Sequence, residues 1–447
     1  MKKYLFILIL IAGIITAQSC SKINGENSNT NSESSIPELL SINTNVGLET
    51  EREALLTAYD KAILTLKTNP QNLKAYLTLA QVFITEARLS GNTGYYNVAA
   101  VKMIDHVLEQ KSTDKDINFE ALTLKAGVLL SMHQFKDALD VANAAYKISE
   151  HNAQILGALV DANVELGNYA VAVQYCDKMV QLRPDIRSYS RVSYLRQIHG
   201  DNAGAIEAMK MAVEAGLPGA ESTEWARVVL GDLLLMTGDI NNATICYETA
   251  LGLRKNYPYA EAGLGRLEKT KKNYAEAIKH TENAINTLTD VAFVNQLAEI
   301  YALKGDNEKA EEIYEDVVDL LEKGEKEQNK EDALVKHNGS RELASAYSHT
   351  NELGKALKNA QEDLALRPLN NDANELIAWI YYLDGDYTNA KMHADKMLST
   401  NTKNPTTLYK AGLIYTKSGD TEKGKMLIAE AKEINVSISE SLFLSSK

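Results

Sequence analysis

A 34-residue cycle constrains this 447-residue chain more than any single motif does. It is plainest between Asn371 and Ala431. There Ile377-Ala378, Tyr381, Gly385, Tyr387, Ala390, Ala394 and Met397 recur 34 residues later as Ala411-Gly412, Tyr415, Gly419, Thr421, Gly424, Ile428 and Ala431. Thirty-four residues earlier stand Leu343-Ala344, Tyr347, Asn351, Leu353, Ala356, Ala360 and Asp363. Three copies in register, without a gap, mark an array of helical units stacked on one another.

The residue types fit such a unit. Helices pack at about 8–10 Å, and small side chains set the lower end; Ala or Gly at 378, 390, 394, 412 and 424 lets two backbones approach closely. Tyr381 and Tyr415 would fill the wedge between successive units. Gly167, Gly238, Gly305, Gly385 and Gly419 fall where a first helix should stop, a place for a left-handed residue. Pro70, Pro184 and Pro368 close second helices, which they cannot continue. One helix pair cannot bury its apolar face alone, so stability is shared between neighbours.

Extended along the chain, the register gives ten units. Seven run from about Leu73 to Val317, and three follow a charged interruption, Glu322 to Asp332. An incomplete unit around Ala58 and Ala62 caps the start, and Leu442-Phe443-Leu444 should cap the end. Gly91 to Tyr96 would lengthen one turn, with a helix resuming at Ala100. The pattern resembles tetratricopeptide repeats, in which a large apolar residue, Leu-Gly, Tyr, Ala, an aromatic, Ala and Pro stand at fixed offsets. The resemblance covers about 400 residues. It implies an all-α fold: a right-handed superhelical solenoid of antiparallel helix pairs, with about ten repeats. Asn163, Arg196 and Glu268 replace the usual Tyr, and Asp363 stands at a small apolar position, so those repeats are expected to pack less tightly.

The N-terminal segment reads as an address. Lys2-Lys3 precedes an apolar run, Tyr4 to Ile15, that is too short for a mature membrane span. Ala17-Gln18-Ser19-Cys20 resembles a lipobox, with Ala17 where Leu is usual, which implies a lipid on Cys20. Ser and Asn then dominate residues 21–36, a composition that cannot bury apolar area; such a tether spans roughly 20–25 Å. The organisation expected is a lipoprotein signal peptide at 1–19, lipidated Cys20 and tether at 20–46, an N-terminal block of repeats at 47–321, a charged insertion at 322–336, and a C-terminal block with its cap at 337–447. The C-terminal block would be able to shift against the first. Ser21 after the Cys implies an outer-membrane anchor facing the periplasm, with the membrane touched through the lipid alone.

The formal charge is −13, and more negative still without Lys2 and Lys3. That argues against nucleic acid as a partner, whose phosphates require a basic face. No metal or cofactor motif is present, and the eight scattered His residues read as ordinary side chains, so no catalytic residue, metal, cofactor or small-molecule substrate is expected. Cys176 and Cys246 sit two repeats apart and read as buried thiols, not a disulfide. Gly263 and Gly265 lack a preceding strand, so they are helix packing and not a nucleotide loop. The resemblance puts the first helices on the concave face. The register projects Tyr194, Trp225, Tyr259, Arg341, Trp379, Tyr382 and Tyr409 into that groove, with Asp161, Asp232, Arg266, Glu299 and Glu375 among them. Aromatics on a concave surface are what a peptide packs against. The expected function is a non-catalytic scaffold of the cell envelope that binds a protein or peptide partner there. A glycan-binding lipoprotein of a nutrient-uptake system is the alternative, but it needs long insertions, and the largest here is about 12 residues by the 34-residue register.

Overall fold

The structure is a computed structural model that describes residues 36–40, 49–328 and 337–439. The leader, Cys20, most of the tether, residues 329–336 and Leu442-Phe443-Leu444 lie outside those residues. All the helices belong to the unit that begins at Leu39.

Twenty-one helices and no strand occur among the described residues. Helix α1, Glu49–Thr68, stands alone. Seven antiparallel pairs follow: α2 Leu73–Ser90 with α3 Thr93–Glu109, α4 Lys115–Ser131 with α5 Phe135–Ile148, α6 Ala153–Glu165 with α7 Tyr169–Leu182, α8 Ile186–Ile198 with α9 Asn202–Glu214, α10 Glu221–Met236 with α11 Ile240–Leu253, α12 Pro258–Thr270 with α13 Tyr274–Thr287, and α14 Val291–Lys304 with α15 Asn307–Gln328. Three more complete the array: α16 Ser340–His349 with α17 Leu353–Leu366, α18 Asn371–Asp384 with α19 Tyr387–Met397, and α20 Pro405–Lys417 with α21 Thr421–Ile434. The long α15 carries the last pair before the interruption well into the charged stretch.

Local chemistry sets the helix ends. Asn72, Asp114, Asn152, Asp185, Asp290, Asn370 and Asn404 precede first helices, and each accepts a hydrogen bond from an amide of the first turn. The residue after the first helix is left-handed in pair after pair. The five glycines named above all have positive φ, and His133, Lys272 and Asn351 take the same conformation where glycine is missing. The expected long turn at Gly91 is not one: α2 reaches Ser90 and α3 starts at Thr93, so the extra residues lengthen the helices.

Packing follows the small residues. Ala378, Ala390, Ala394 and Ala411 are fully buried. Tyr247 is wedged between Gly231 and Gly263, where an added Cβ would lie 2.6 and 2.5 Å from its ring. Gly263 is therefore a packing residue, as its sequence context implied.

The larger feature is that the coil closes on itself. Asn338 N donates to Met132 O at 3.0 Å, Asn371 N to Tyr169 Oη at 2.8 Å and Thr400 Oγ1 to Ile198 O at 2.7 Å. Asn202 Nδ2 donates to Lys403 O at 3.0 Å, and Asn435 Nδ2 to the carbonyls of Leu235 and Met236 at 3.2 and 3.1 Å. The partners stand 199 to 206 residues apart along the whole length. One superhelical turn thus takes about six 34-residue units, and the second turn seats directly on the first. The blocks on either side of the insertion are joined by these bonds, which oppose any shift between them.

Two arginines lock the turns. Arg367, 1% exposed, forks onto Asp363 at 2.7 and 2.8 Å and reaches Glu165 on the turn beneath at 2.9 Å. Arg254 makes the equivalent pair with Glu51 at 3.0 and 2.8 Å. Asp363 is therefore not a loose spot in its repeat, as its departure from the pattern suggested; it holds a buried guanidinium. Arg183, which like Arg254 and Arg367 directly follows a second helix, has no earlier turn beneath it among the described residues. It is largely exposed, with a local partner, Asp185.

Candidate binding surface on the inner face of the coil

First helices contribute a ladder of charge from unit to unit. Arg191 of α8 forks onto Asp161 of α6 at 2.8 and 2.5 Å. Arg266 of α12 bonds Asp232 of α10 at 2.6 Å and Gln296 of α14 at 3.2 Å. Lys269 meets Glu299 at 2.8 Å, and Lys410 of α20 meets Glu375 of α18 at 2.8 Å. Each rung joins neighbouring first helices, so the mixed charge that the register projected inward is largely self-neutralised. Tyr247 donates to Asp232 at 2.6 Å, and burial together with that carboxylate pushes its phenol well up.

The seven residues expected in the groove divide. Tyr194 and Trp225 remain 43% and 39% exposed, and Arg341 is exposed as well. Tyr259 is half-buried, edge-on to Tyr257 and Phe293 at 5.4 and 5.7 Å. Trp379, Tyr382 and Tyr409 are only 8%, 7% and 5% exposed, a correction to the expectation of an open aromatic surface. Trp379 shares a helix face with Asp372 and Glu375. It is covered because Tyr382 stacks on it at 4.8 Å and the Lys410 ammonium lies 5.6 Å from its ring. Tyr409 belongs to the same packed cluster.

Tyr194 opens onto a cavity of about 200 Å³ between the two turns, with Tyr169 and Gln197 below and Asn371, Asp372 and Glu375 above. Burial and the charges of Asp372 and Glu165 push its phenol well up, while Arg341 acts in the opposite sense. Arg341, 147 positions from Tyr194 in sequence, thus acts on the phenol by its charge. Asp372 is raised by burial and by Glu375, against Arg341. Burial would also raise Glu375, but Lys410 and the Thr407 hydroxyl outweigh it and hold the carboxyl low. Asp372 is the acid that sequence reasoning missed; it is in phase with Trp379 on α18, the signal that could have found it.

Cys176 and Cys246 are free thiols, the first buried and pushed up to about 11 by that burial, the second only half-buried. The reading of every His as unremarkable overlooks a contact between turns: the rings of His133 and His337 lie 4.6 Å apart, and Glu342 Oε1 lies 3.6 Å from His133 Nδ1. No local spacing could reveal it.

Family models described as tetratricopeptide repeat match residues 123–185 and 294–328, so repeats of this type are present there. No curated protein matches the chain. Among solved structures, the human IFIT1 dimer with PPP-AAAA is similar at 13% identity, with a TM-score of 0.45, covering 85% of this chain and 87% of that one. The human IFIT1 dimer with m7Gppp-AAAA gives 14% identity, a TM-score of 0.46 and 86% of each chain.

Proposed function

We propose that this chain is a non-catalytic repeat scaffold, held at the cell envelope by a lipid on Cys20, whose inner face takes a protein or peptide partner. The observation that carries this reading is the exposure of Tyr194 and Trp225 on inner helices where Trp379, Tyr382 and Tyr409 are packed away. The chamber beside Tyr194, at about 200 Å³, is smaller than the roughly 300–1,000 Å³ of small-molecule sites. It is suited to receive one side chain from an extended segment. The rungs already pair most of the inner charge, so contact there rests on shape and on the two aromatics. A glycan platform built on Trp379 finds less support, because that ring is covered.

The test is site-specific photo-crosslinking in intact envelopes, with the reactive group at position 194 or 225 and a control at exposed Ile245 on the second helix α11. The reading expects one discrete adduct from both inner positions and none from the control, with the adduct lost when the unlabelled inner aromatic is changed to Ala. Equal labelling at position 245 would place the partner outside the coil. Mass spectrometry of the mature N-terminus decides the lipid on Cys20.

A further inference from the structure

We propose that His133, His337 and Glu342 form a divalent transition-metal site, for zinc by its donor set, that pins the second turn of the coil to the first. The three come from two turns: His133 from the α4–α5 corner, His337 just before α16, and Glu342 from the first turn of α16. One donor atom from each lies within 4.8 Å of the others. Around a tetrahedral zinc, with bonds of about 2.0–2.2 Å, donors stand roughly 3.3 Å apart. The 3.6 Å from His133 Nδ1 to Glu342 Oε1 is already near that, and closing the rest needs a movement of about 1 Å or more.

Two further observations favour a ligand. Glu342 Oε2 is buried and has no hydrogen-bond partner among the described residues. A buried carboxylate oxygen left so is costly, and a metal bond satisfies it. His133 Nδ1 also lies 3.2 Å from the Asn338 carbonyl, a contact that the imidazole would exchange for the metal bond. Phe135 stacks on the His133 ring at 5.6 Å and screens one side of the cluster. Two imidazoles and one carboxylate suit zinc and leave a position for water, and they are poor ligands for calcium or magnesium, which take oxygen. Because the donors straddle the two turns, the metal would act as a clamp where the chain resumes after its charged insertion.

The experiment titrates the metal-free full chain with Zn²⁺, and separately with Co²⁺, whose visible spectrum reports four-coordination. The site predicts one ion per chain, a four-coordinate cobalt spectrum, and a melting temperature that rises with Zn²⁺. His133→Ala and His337→Ala should each weaken binding at least about tenfold, as even the loss of an outer partner does, and abolish the melting shift. His151→Ala, on an exposed corner, should change nothing. Should a histidine variant lose its helical circular dichroism, Glu342→Gln and the wild-type cobalt spectrum decide in its place. Absence of saturable binding, or binding that survives both histidine substitutions, overturns the proposal.

Discussion

Gly167 and Gly385 occupy the same slot after a first helix, with φ of 78° and 84°, yet they differ in what faces them. Nothing lies within 4 Å of a Cβ built on Gly385. A Cβ on Gly167 would sit 2.5 Å from the Leu369 carbonyl oxygen and 2.6 Å from the Asn370 nitrogen, backbone atoms of the turn above. Alanine at either site costs about 1–2 kcal/mol for the left-handed conformation. At Gly167 the overlap adds about 1–3 kcal/mol, because main chain cannot swing aside as a side chain does. Gly167→Ala should therefore lose about 1–3 kcal/mol more than Gly385→Ala in equilibrium urea unfolding. Long repeat arrays can unfold in stages, so hydrogen exchange supplies a second reading. In Gly167→Ala the amides of Asn371, Ala373 and Asn374, at the start of α18, should exchange faster, although the substitution lies some 200 residues away. Equal losses for the two variants, with exchange in α18 unchanged in Gly167→Ala, would refute the stacking of turns.

Arg367→Met should cost about 3–5 kcal/mol, since it leaves the Asp363 carboxylate buried without its partner; adding Asp363→Leu should recover most of the loss in the same urea assay. His349 stacks on Tyr314 at 4.4 Å, and burial lowers its pKa to about 4 against about 6.5 in an unfolded chain. Between those values the unfolded state binds the proton and the folded state does not, so stability falls as pH drops through that window. Burial-raised carboxyls such as Glu165 act with the opposite sign, so the assay is the difference between wild type and His349→Gln, whose stability should depend less steeply on pH from about 6.5 to 4. Trp379→Ala should cost about 3–5 kcal/mol as a packing residue, whereas Trp225→Ala should leave the melting temperature nearly unchanged; thermal melts of the two check the division of the inner aromatics.

The repeat and its helix pairs were legible in the sequence because every determinant is local. A small residue against its partner helix, a left-handed stop and a cap each act within one unit or its neighbour. The burial of Trp379 was not legible, because the cover comes from Lys410 in the next unit and from the rotamer of Tyr382. The contacts between turns could not be read at all. They depend on how small rotations add up over six units, and no residue states that sum. Asp363 looked like a flaw in its own repeat and proves to be half of a pair completed by Arg367 and by Glu165 one turn below. His133 and His337 look unrelated for the same reason.

Because its turns touch, the coil is a closed-wound spring and not an open one. Pulled from its two ends, it cannot lengthen at first by easy flexing between repeats. Bonds such as Asn371 to Tyr169 and Thr400 to Ile198 must be peeled apart in succession, from the ends of the array inward. Extension therefore begins with a threshold set by the seam between turns, and the helix pairs open only after that seam has parted.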